Sequence, residues 1–244
     1  MNIDGKKALV TGASSGIGKS VALFLASKGI HVALVGRDEA RLNETADQTA
    51  AISDVKTFCC IADLSVEDDA RKAVNQAAIA LGGLDYLMNC AGVSQRATYK
   101  IDEIESAEFH RIMRTNVDSM LYCSGEAMKY LKESTAAYII NILSTAAFST
   151  GAGGGMYSAS KYAARALHES MVLGCKGSNI RVSAISPGPV HTDIWSHKIK
   201  TVAASKKEKM LQPDNIAEIV WFLLNLDPNV HIDNMKVEPW FYVK

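Results

Sequence analysis

The stretch KALVTGASSGIG, residues 7–18, decides the fold of this chain, because an apolar run leads directly into a turn rich in glycine. The run KALVT (7–11) has the apolar character of a buried strand, and residues 16–28 have the pattern of an amphipathic helix. The glycines of the turn are Gly12, Gly16 and Gly18. A strand, a glycine-rich turn and a helix in this order are typical of the start of a βαβ unit.

The same alternation of apolar runs and amphipathic stretches continues to the end of the chain. The predicted strands are 7–11, 31–36, 56–62, 84–89, 136–143, 180–186 and 235–239. The predicted helices are 16–28, 39–51, 66–81, 106–131, 156–174 and 214–226. Short apolar strands that alternate with helices indicate a parallel sheet covered on both faces. We therefore expect an α/β fold: a single Rossmann-like, doubly wound domain over residues 1–244 with a mostly parallel, seven-stranded sheet.

Composition and charge limit the partners that the chain can have. Its 244 residues are 48% hydrophobic and 21% charged, and 26 basic residues balance 26 acidic ones. Binding to nucleic acid or to a membrane surface usually needs a basic excess, so neither is expected. No apolar run approaches the roughly 18 residues that span a bilayer. The five cysteines have no metal-binding spacing. We expect a cytoplasmic protein without a metal site.

The glycine-rich turn predicts a site for a dinucleotide pyrophosphate. Gly12 permits a tight turn, Gly16 allows the backbone to approach a phosphate, and Gly18 allows close packing of helix on strand. The N-terminus of the helix adds free N–H groups and the positive end of its dipole. A plain βα turn is the alternative, but it does not need three glycines. The predicted cofactor contacts of the turn are Gly12, Ser14, Ser15, Gly16, Ile17 and Gly18.

The end of the second predicted strand distinguishes between the two nicotinamide cofactors. Enzymes that prefer NAD place Asp or Glu there, which accepts a hydrogen bond from the ribose 2′-hydroxyl. This chain has Gly36 followed by Arg37, and a guanidinium binds a 2′-phosphate with paired, charge-assisted bonds. Ser14 can add a hydroxyl donor. We therefore predict NADP(H). In the alternative interpretation, Arg37 is a solvated charge that precedes Asp38, the N-cap of the next helix.

Four polar residues carry the predicted chemistry. Tyr157 and Lys161 are four apart on a predicted helix and so lie on one face. Ser144 directly follows the strand 136–143, and Asn116 lies inside the predicted helix 106–131. In order and approximate spacing, the chain resembles the short-chain dehydrogenase/reductase family over nearly its whole length. The motifs of this resemblance are TGASSGIG (11–18), Asp63, NCAG (89–92), Asn116, Ser144, YSASK (157–161) and PGPVHT (187–192).

The resemblance implies an oxidoreductase that moves a hydride between NADP(H) and a carbonyl or secondary alcohol of a small substrate. Tyr157 is the expected acid/base. A nearby ammonium favours a phenolate, so we expect Lys161 to lower the pKa of Tyr157 by about three units, or about 4 kcal/mol. The resemblance also implies that Tyr157 and Lys161 both contact the cofactor, with Lys161 on the nicotinamide ribose, and that Asn116 holds a water that passes protons toward Lys161. Ser144 is expected to donate to the substrate oxygen.

Further cofactor contacts and the assembly are also implied by the resemblance. Asp63 is expected to accept from the adenine amine, with Leu64 beside it. The remaining contacts are Asn89, Ala91 and Gly92 near the adenosine, and Pro187, Gly188, Val190 and Thr192 around the nicotinamide. The helices at 106–131 and 159–166 resemble the subunit interface of the family. A homodimer or homotetramer is therefore expected.

Substrate selectivity is expected in the segment 190–212, because ligands bind outside the carboxyl ends of parallel strands. Its notable side chains are His191, Trp195, His197, Lys206, Lys207 and Lys209. The lysines form either a solvated face or a surface that attracts an acidic substrate.

The C-terminal sequence bears on the identity of the substrate. The ending IDNMKVEPWFYVK lacks the TG…V…GG pattern usual in the family's 3-oxoacyl-carrier-protein reductases. It looks more like the NADP-dependent serine or 3-hydroxy acid dehydrogenase-like members. A 3-oxoacyl-carrier-protein reductase, an epimerase or dehydratase, and a catalytically silent NADP-binding regulatory protein remain alternatives.

Overall fold

Seven strands form the central sheet of the computed structural model, which describes residues 5–151, 153–195 and 208–240. They are β1 (Lys7–Thr11), β2 (His31–Gly36), β3 (Thr57–Ile61), β4 (Tyr86–Asn89), β5 (Ala137–Ile142), β6 (Ile180–Pro187) and β7 (Asn234–Val237). Their order across the sheet is β3-β2-β1-β4-β5-β6-β7. All neighbouring strands in the described part of the chain are parallel. The predicted α/β fold is confirmed, and the sheet is parallel throughout.

Helices cover both faces of this sheet. They are α1 (Gly16–Ser27), α2 (Glu39–Ile52), α3 (Glu67–Leu81), α4 (Ser106–Met113), α5 (Ser119–Leu131), α6 (Gly155–Cys175) and α7 (Pro213–Leu224). Apolar residues of α1, α2 and α7 pack on one face, and those of α3, α5 and α6 pack on the other. The ends of the predicted strands and helices lie within two residues of the observed ones. Among the described helices, none combines the length and apolar character needed to cross a membrane.

The predicted helix 106–131 is interrupted by a π-helical turn, Arg114–Asp118, between α4 and α5. Asn116 lies in this turn and is buried. Its Oδ1 accepts from the backbone N–H of Val93 at 2.7 Å, and its Nδ2 donates to the carbonyl oxygen of Val93 at 3.0 Å. These bonds join the turn to the segment that follows β4. The prediction of one continuous α-helix is wrong here, because apolar periodicity does not reveal a single widened turn.

A chain of buried polar side chains crosses the interior from β4 to α6. The Nδ2 of Asn89 donates to Ser124 Oγ at 3.0 Å and to Asn141 Oδ1 at 2.8 Å. The Nδ2 of Asn141 lies 3.1 Å from His168 Nδ1, and His168 Nε2 lies 3.2 Å from the carbonyl oxygen of Asp233. Burial lowers the pKa of His168, although the charge and hydrogen bonds of Asp233 oppose this shift.

Because the folded protein disfavours the charged form of His168, we expect its stability to depend on pH. Below the ordinary imidazole pKa of about 6.5, the unfolded chain binds a proton that the folded chain resists. The stabilisation is therefore fully present above this pH and is lost as the pH falls below it. Urea unfolding at pH 7.5 and 5.5 measures the loss, and His168→Gln should make it smaller. An equal loss in both proteins would contradict the expectation.

Candidate active site

The glycine-rich turn is packed so closely that side chains at two of its glycines would collide with backbone atoms. A Cβ on Gly18 would lie 2.3 Å from the carbonyl oxygen of Gly12, and a Cβ on Gly12 would lie 2.9 Å from the Cα of Ala91. Gly12 also has a φ of +67°, which disfavours other residues. The turn therefore holds the start of α1 against the end of β1, as the glycine spacing predicts, and it also contacts the residues after β4.

The N-terminus of α1 opens into a cleft and suits an anion. Ser15 is the N-cap but makes no side-chain capping bond within the described structure, and the first turn of α1 has no acidic residue. The first N–H groups of a helix lack partners within the helix and carry the positive end of its dipole. Because Ser15 and Gly16 both line the cleft, these groups can receive phosphate oxygens.

The cleft has a volume of about 500 Å³ and follows the carboxyl ends of the strands. The predicted residues that line it are Gly12, Ser14, Ser15, Gly16, Ile17, Gly18, Arg37, Asp63, Leu64, Ala91, Gly92 and Thr192. It is also lined by Arg41, Arg96, Arg111 and Asp193, which our sequence analysis did not propose. Arg41 Nη2 and Asp193 Oδ2 form an ion pair of 2.6 Å between α2 and the segment after β6. The residues of the glycine-rich turn, of β2 and of β4 thus meet in one elongated cavity, as a dinucleotide requires.

Six of the predicted cofactor contacts do not line this cleft: Asn89, Tyr157, Lys161, Pro187, Gly188 and Val190. The amide of Asn89 belongs to the buried polar chain described above. The carbonyl oxygen of Pro187 accepts from Ser144 Oγ at 3.5 Å, and the N–H of Gly188 donates to Val237 at 2.7 Å. Val190 is buried and forms a parallel bridge with Leu211. The residues after Asn89 in sequence reach the cleft, whereas its own side chain points into the core.

The predicted substrate segment 190–212 is described only at its two ends. The N–H of His191 donates to the carbonyl oxygen of Leu211 at 2.8 Å, and the N–H of Leu211 donates to that of Pro189 at 3.0 Å. These backbone bonds join the two ends of the segment beside β6. His197, Lys206 and Lys207 lie outside the described residues.

The sequence analysis missed Thr11, which joins the ends of β1 and β4. Its Oγ1 accepts from the N–H groups of Cys90 and Ala91, both at 3.0 Å, and donates to the carbonyl oxygen of Met88 at 3.3 Å. The residue is buried. A buried hydroxyl needs such partners, so Thr11 holds the backbone at one wall of the cleft. The sequence did contain a signal for this role, namely a polar residue at the end of an apolar strand, directly before Gly12.

Arg37 is exposed at the rim of the cleft, next to the predicted adenosine end. A Cβ on the preceding Gly36 would lie 3.2 Å from Ser14 Oγ, so the hydroxyl lies beside this strand end. Asp38 Oδ1 accepts from the N–H of Arg41 at 3.1 Å. Asp38 is therefore the N-cap of α2, as the alternative interpretation of this strand end held, but this role does not occupy Arg37.

Asp63 lines the cleft, and hydrogen bonds within a turn also hold its carboxylate. Its Oδ1 accepts from the N–H of Ser65 at 3.1 Å and from the Ser65 hydroxyl at 2.7 Å. Burial raises the pKa of Asp63, but these two bonds and the charge of Arg37 outweigh burial, so the pKa is lowered. The carboxylate is therefore ionised at neutral pH and can accept further hydrogen bonds.

Ser144, Tyr157 and Lys161 converge beyond the carboxyl end of β5. The Ser144 hydroxyl favours the ionised form of the nearby Tyr157 phenol and accepts from the N–H of Ala146 at 3.1 Å. Lys161 Nζ lies 5.8 Å from the centre of the Tyr157 ring and donates to the carbonyl oxygen of Ile142 at 3.1 Å. The spacing of four residues on α6 thus brings phenol and ammonium to one face, as predicted.

Asn116 approaches the same group from the π-helical turn. Its Nδ2 donates to Ser160 Oγ at 2.9 Å, and Ser160 lies one residue before Lys161. A Cβ on Gly92 would lie 3.4 Å from Asn116 Oδ1 and 3.7 Å from Lys161 Nζ. The four predicted catalytic residues therefore lie around the ends of β4 and β5, next to the cleft that Gly92 lines.

Burial determines the charge states of the phenol and the ammonium. It raises the pKa of Tyr157, and the nearby Ser144 hydroxyl opposes this shift only in part. Burial also lowers the pKa of Lys161 to about 8, while Cys90 acts in the opposite direction. The expectation that Lys161 lowers the pKa of Tyr157 is wrong for this geometry, because desolvation penalises both charged forms. Tyr157 consequently keeps its proton at neutral pH, which is the state that a proton donor needs.

Comparisons with known proteins agree with this geometry. The model of the short chain dehydrogenase family matches residues 6–203. An uncharacterized oxidoreductase of Staphylococcus aureus strain MRSA252 is 31% identical over 234 residues, which cover 96% of this chain and 97% of the relative.

Two solved structures share the fold over nearly the full length. The alcohol dehydrogenase of the archaeon Thermococcus sibiricus, complexed with 5-hydroxy-NADP, has a TM-score of 0.89 and 26% identity and covers 98% of both chains. A short-chain dehydrogenase/reductase of Serratia marcescens has a TM-score of 0.87 and 26% identity and covers 99% of both chains. With the family model and the staphylococcal relative, these matches show that the chain belongs to the short-chain dehydrogenase/reductase family and is an oxidoreductase.

Proposed function

We propose that the protein transfers a hydride between NADP(H) and a carbonyl or secondary alcohol carbon of a small substrate, within one domain of residues 1–244. The observation that carries this proposal is the convergence of Tyr157, Ser144 and Lys161 at the strand end beside the cleft. The cofactor fits the residues present, since Gly12 and Gly18 let the turn pack tightly against the neighbouring backbone and α1 directs its N-terminus into the cleft. When bound, NADPH supplies the hydride for reduction, and NADP⁺ accepts it in the reverse direction.

The protein side chains provide proton transfer and orientation. In reduction, Tyr157 donates its phenolic proton to the substrate oxygen, and in oxidation the same oxygen accepts it. Ser144 donates a hydrogen bond to the substrate oxygen and fixes its position. Lys161 donates to the ribose hydroxyls of the nicotinamide half. Asn116 holds a water that returns a proton toward Lys161.

The proposed preference for NADP(H) over NAD(H) rests on the rim at β2. Arg37 is exposed there, Ser14 lies beside Gly36, and neither position is acidic. A 2′-phosphate would receive charge-assisted bonds from the guanidinium, worth about 1.5–3 kcal/mol each. The Thermococcus sibiricus enzyme, which binds a hydroxylated NADP, supports the same cofactor class.

The other proposed cofactor contacts divide between the two ends of the dinucleotide. Asp63 and Leu64 contact the adenine, and Ala91 and Gly92 line the adenosine side. Pro187, Gly188, Val190 and Thr192 would surround the nicotinamide. Of this last group, Thr192 lines the described cleft.

The test of this function is oxidation of NADPH at 340 nm with a panel of carbonyl compounds, and reduction of NADP⁺ with 3-hydroxy acids and serine. We expect turnover with NADPH and, in the reverse direction, with a 3-hydroxy acid or a serine-like compound. Turnover of 3-oxoacyl thioesters alone would instead indicate a carrier-protein reductase. Tight binding of NADPH without turnover of any compound would contradict the proposal and favour a silent regulatory protein.

We also propose that the protein is a homodimer or homotetramer. Large apolar side chains are exposed on α5, on α6 and after β5: Leu121, Tyr162, Leu173 and Phe148. Burial of such a surface stabilises an association between subunits. Light scattering should give at least twice the chain mass of 26.3 kDa. A species of the single-chain mass alone would contradict this expectation.

A further inference from the structure

Gln95 is a buried amide on the segment that follows β4, and its hydrogen bonds converge on the start of α6. Only 2% of the residue is exposed. Its Nε2 donates to the carbonyl oxygen of Ala97 at 2.8 Å and to that of Gly153. Its Oε1 accepts from the backbone N–H of Tyr157 at 3.4 Å. One side chain therefore bonds to three backbone groups, the farthest of which is 62 residues away in sequence.

The bond to Tyr157 replaces a missing helix cap. α6 begins at Gly155, and its N-cap, Gly154, has no side chain that can accept a hydrogen bond. The N–H groups in the first turn of a helix have no partner within the helix. Tyr157 carries the third of these groups, and Gln95 Oε1 accepts it from another part of the chain. The capped residue is also the one that carries the proposed acid.

The bond to Gly153 holds the turn that leads into α6. Gly153 has a φ of +73°, and a Cβ there would lie 2.1 Å from Thr98 Cγ2. The turn is thus in close contact with the segment after Gln95. Because Gln95 bonds to Ala97 on one side and to Gly153 on the other, it links the segment after β4 to the turn before α6. Movement of the segment or of the turn would break at least one hydrogen bond of a buried amide, and an unsatisfied buried amide costs free energy.

We propose that Gln95 is a positioning residue for the reaction: it fixes the first turn of α6 so that the phenol of Tyr157 stays against Ser144. This inference rests on the proposed function only in giving Tyr157 the proton transfer. A displacement of about 1 Å at a reacting group can lower a rate by about 100-fold, so a cap that fixes the helix start affects turnover.

The test compares Gln95→Met, which keeps the length of the side chain but loses its hydrogen bonds, with Gln48→Met as control. Gln48 lies on α2, on the opposite face of the sheet, and bonds to Glu44. Two readouts need no substrate: amide exchange of Tyr157 by NMR, and titration of the phenol in protein labelled with ¹³Cζ-tyrosine. The Tyr157 signal is identified by its loss in Tyr157→Phe.

In the native protein, we expect the Tyr157 amide to be protected and its phenol to titrate above the ordinary pKa of about 10. In Gln95→Met, the amide should exchange at least about 10-fold faster, and the phenol pKa should fall toward 10 as water enters. Gln48→Met should leave both unchanged. If Gln95→Met does not fold, Gln95→Asn tests the same point, since its amide is one methylene too short to reach all three partners.

A substrate found with the carbonyl panel adds a kinetic readout. We expect kcat of Gln95→Met to fall at least about 10-fold, while KM for NADPH changes by less than about twofold. An unprotected Tyr157 amide in the native protein, or an unchanged amide and phenol in a folded Gln95 variant, would overturn the positioning role. Failure of all substrates with these NMR shifts present would refute the proposed function and leave the capping contact established.

Discussion

Tyr157→Phe will lower kcat by at least about 10³-fold while the protein stays folded and binds NADPH with nearly native affinity. The variant removes one oxygen from a half-buried ring. It thus deletes the proposed proton donor and its interaction with the Ser144 hydroxyl. The glycine-rich turn and the cleft around it do not depend on this oxygen, so the binding site for the phosphates persists.

The measurement separates chemistry from binding. Single-turnover oxidation of NADPH gives the rate of the chemical step, and quenching of protein fluorescence gives the dissociation constant of NADPH. Tyr130→Phe is the matched control, because it also removes one phenolic oxygen, which donates to Asn75 at 2.7 Å, and Tyr130 does not line the described cleft. It should keep native kcat. If Tyr157→Phe retained near-native kcat, the proposed acid/base would be wrong.

Arg37→Asp will lower the ratio of kcat/KM for NADPH over NADH by at least about 100-fold, and the ratio in the native enzyme will exceed unity. The change removes the proposed charge-assisted bonds to the 2′-phosphate, worth about 1.5–3 kcal/mol each, and adds a repelling carboxylate. A factor of 100 corresponds to about 2.7 kcal/mol, so the loss of two bonds is sufficient. The new carboxylate would also accept from a ribose 2′-hydroxyl and so favour NADH.

The control for this change is Lys72→Asp, which alters the net charge equally on the exposed surface of α3. Lys72 does not line the described cleft. Its substitution should leave the cofactor ratio within about twofold of the native value. A native ratio below unity, or an equal fall of the ratio in both variants, would show that Arg37 does not select the cofactor.

Regular periodicity explains why most of the fold was predictable. Parallel strands are buried on both faces, so runs such as HVALVG (31–36) are apolar at nearly every position. Helices such as α3 show one apolar face with a period of 3.6 residues. The π-helical turn at Asn116 was not predictable in this way, because its side-chain bonds go to Val93, 23 residues earlier. A local sequence pattern carries no information about a partner so far away along the chain.

In the candidate site, too, local patterns were predictable from the sequence and contacts between distant segments were not. The glycine spacing and the i,i+4 pair of Tyr157 and Lys161 are local patterns, so the sequence alone indicated the phosphate turn and the two facing groups. The core position of Asn89 and the cap from Gln95 depend on contacts between distant segments.

The sequence by itself determined the order of strands and helices, the glycine-rich turn, and the residue types at the proposed site. Only the tertiary structure decided whether the pKa values of Tyr157 and Lys161 are raised or lowered. Sequence spacing suggested that Lys161 would lower the pKa of Tyr157, whereas burial raises it and also lowers that of Lys161. The reason is physical. Desolvation depends on all the atoms that surround a group in space, whereas the spacing along a helix indicates only which side chains share a helix face.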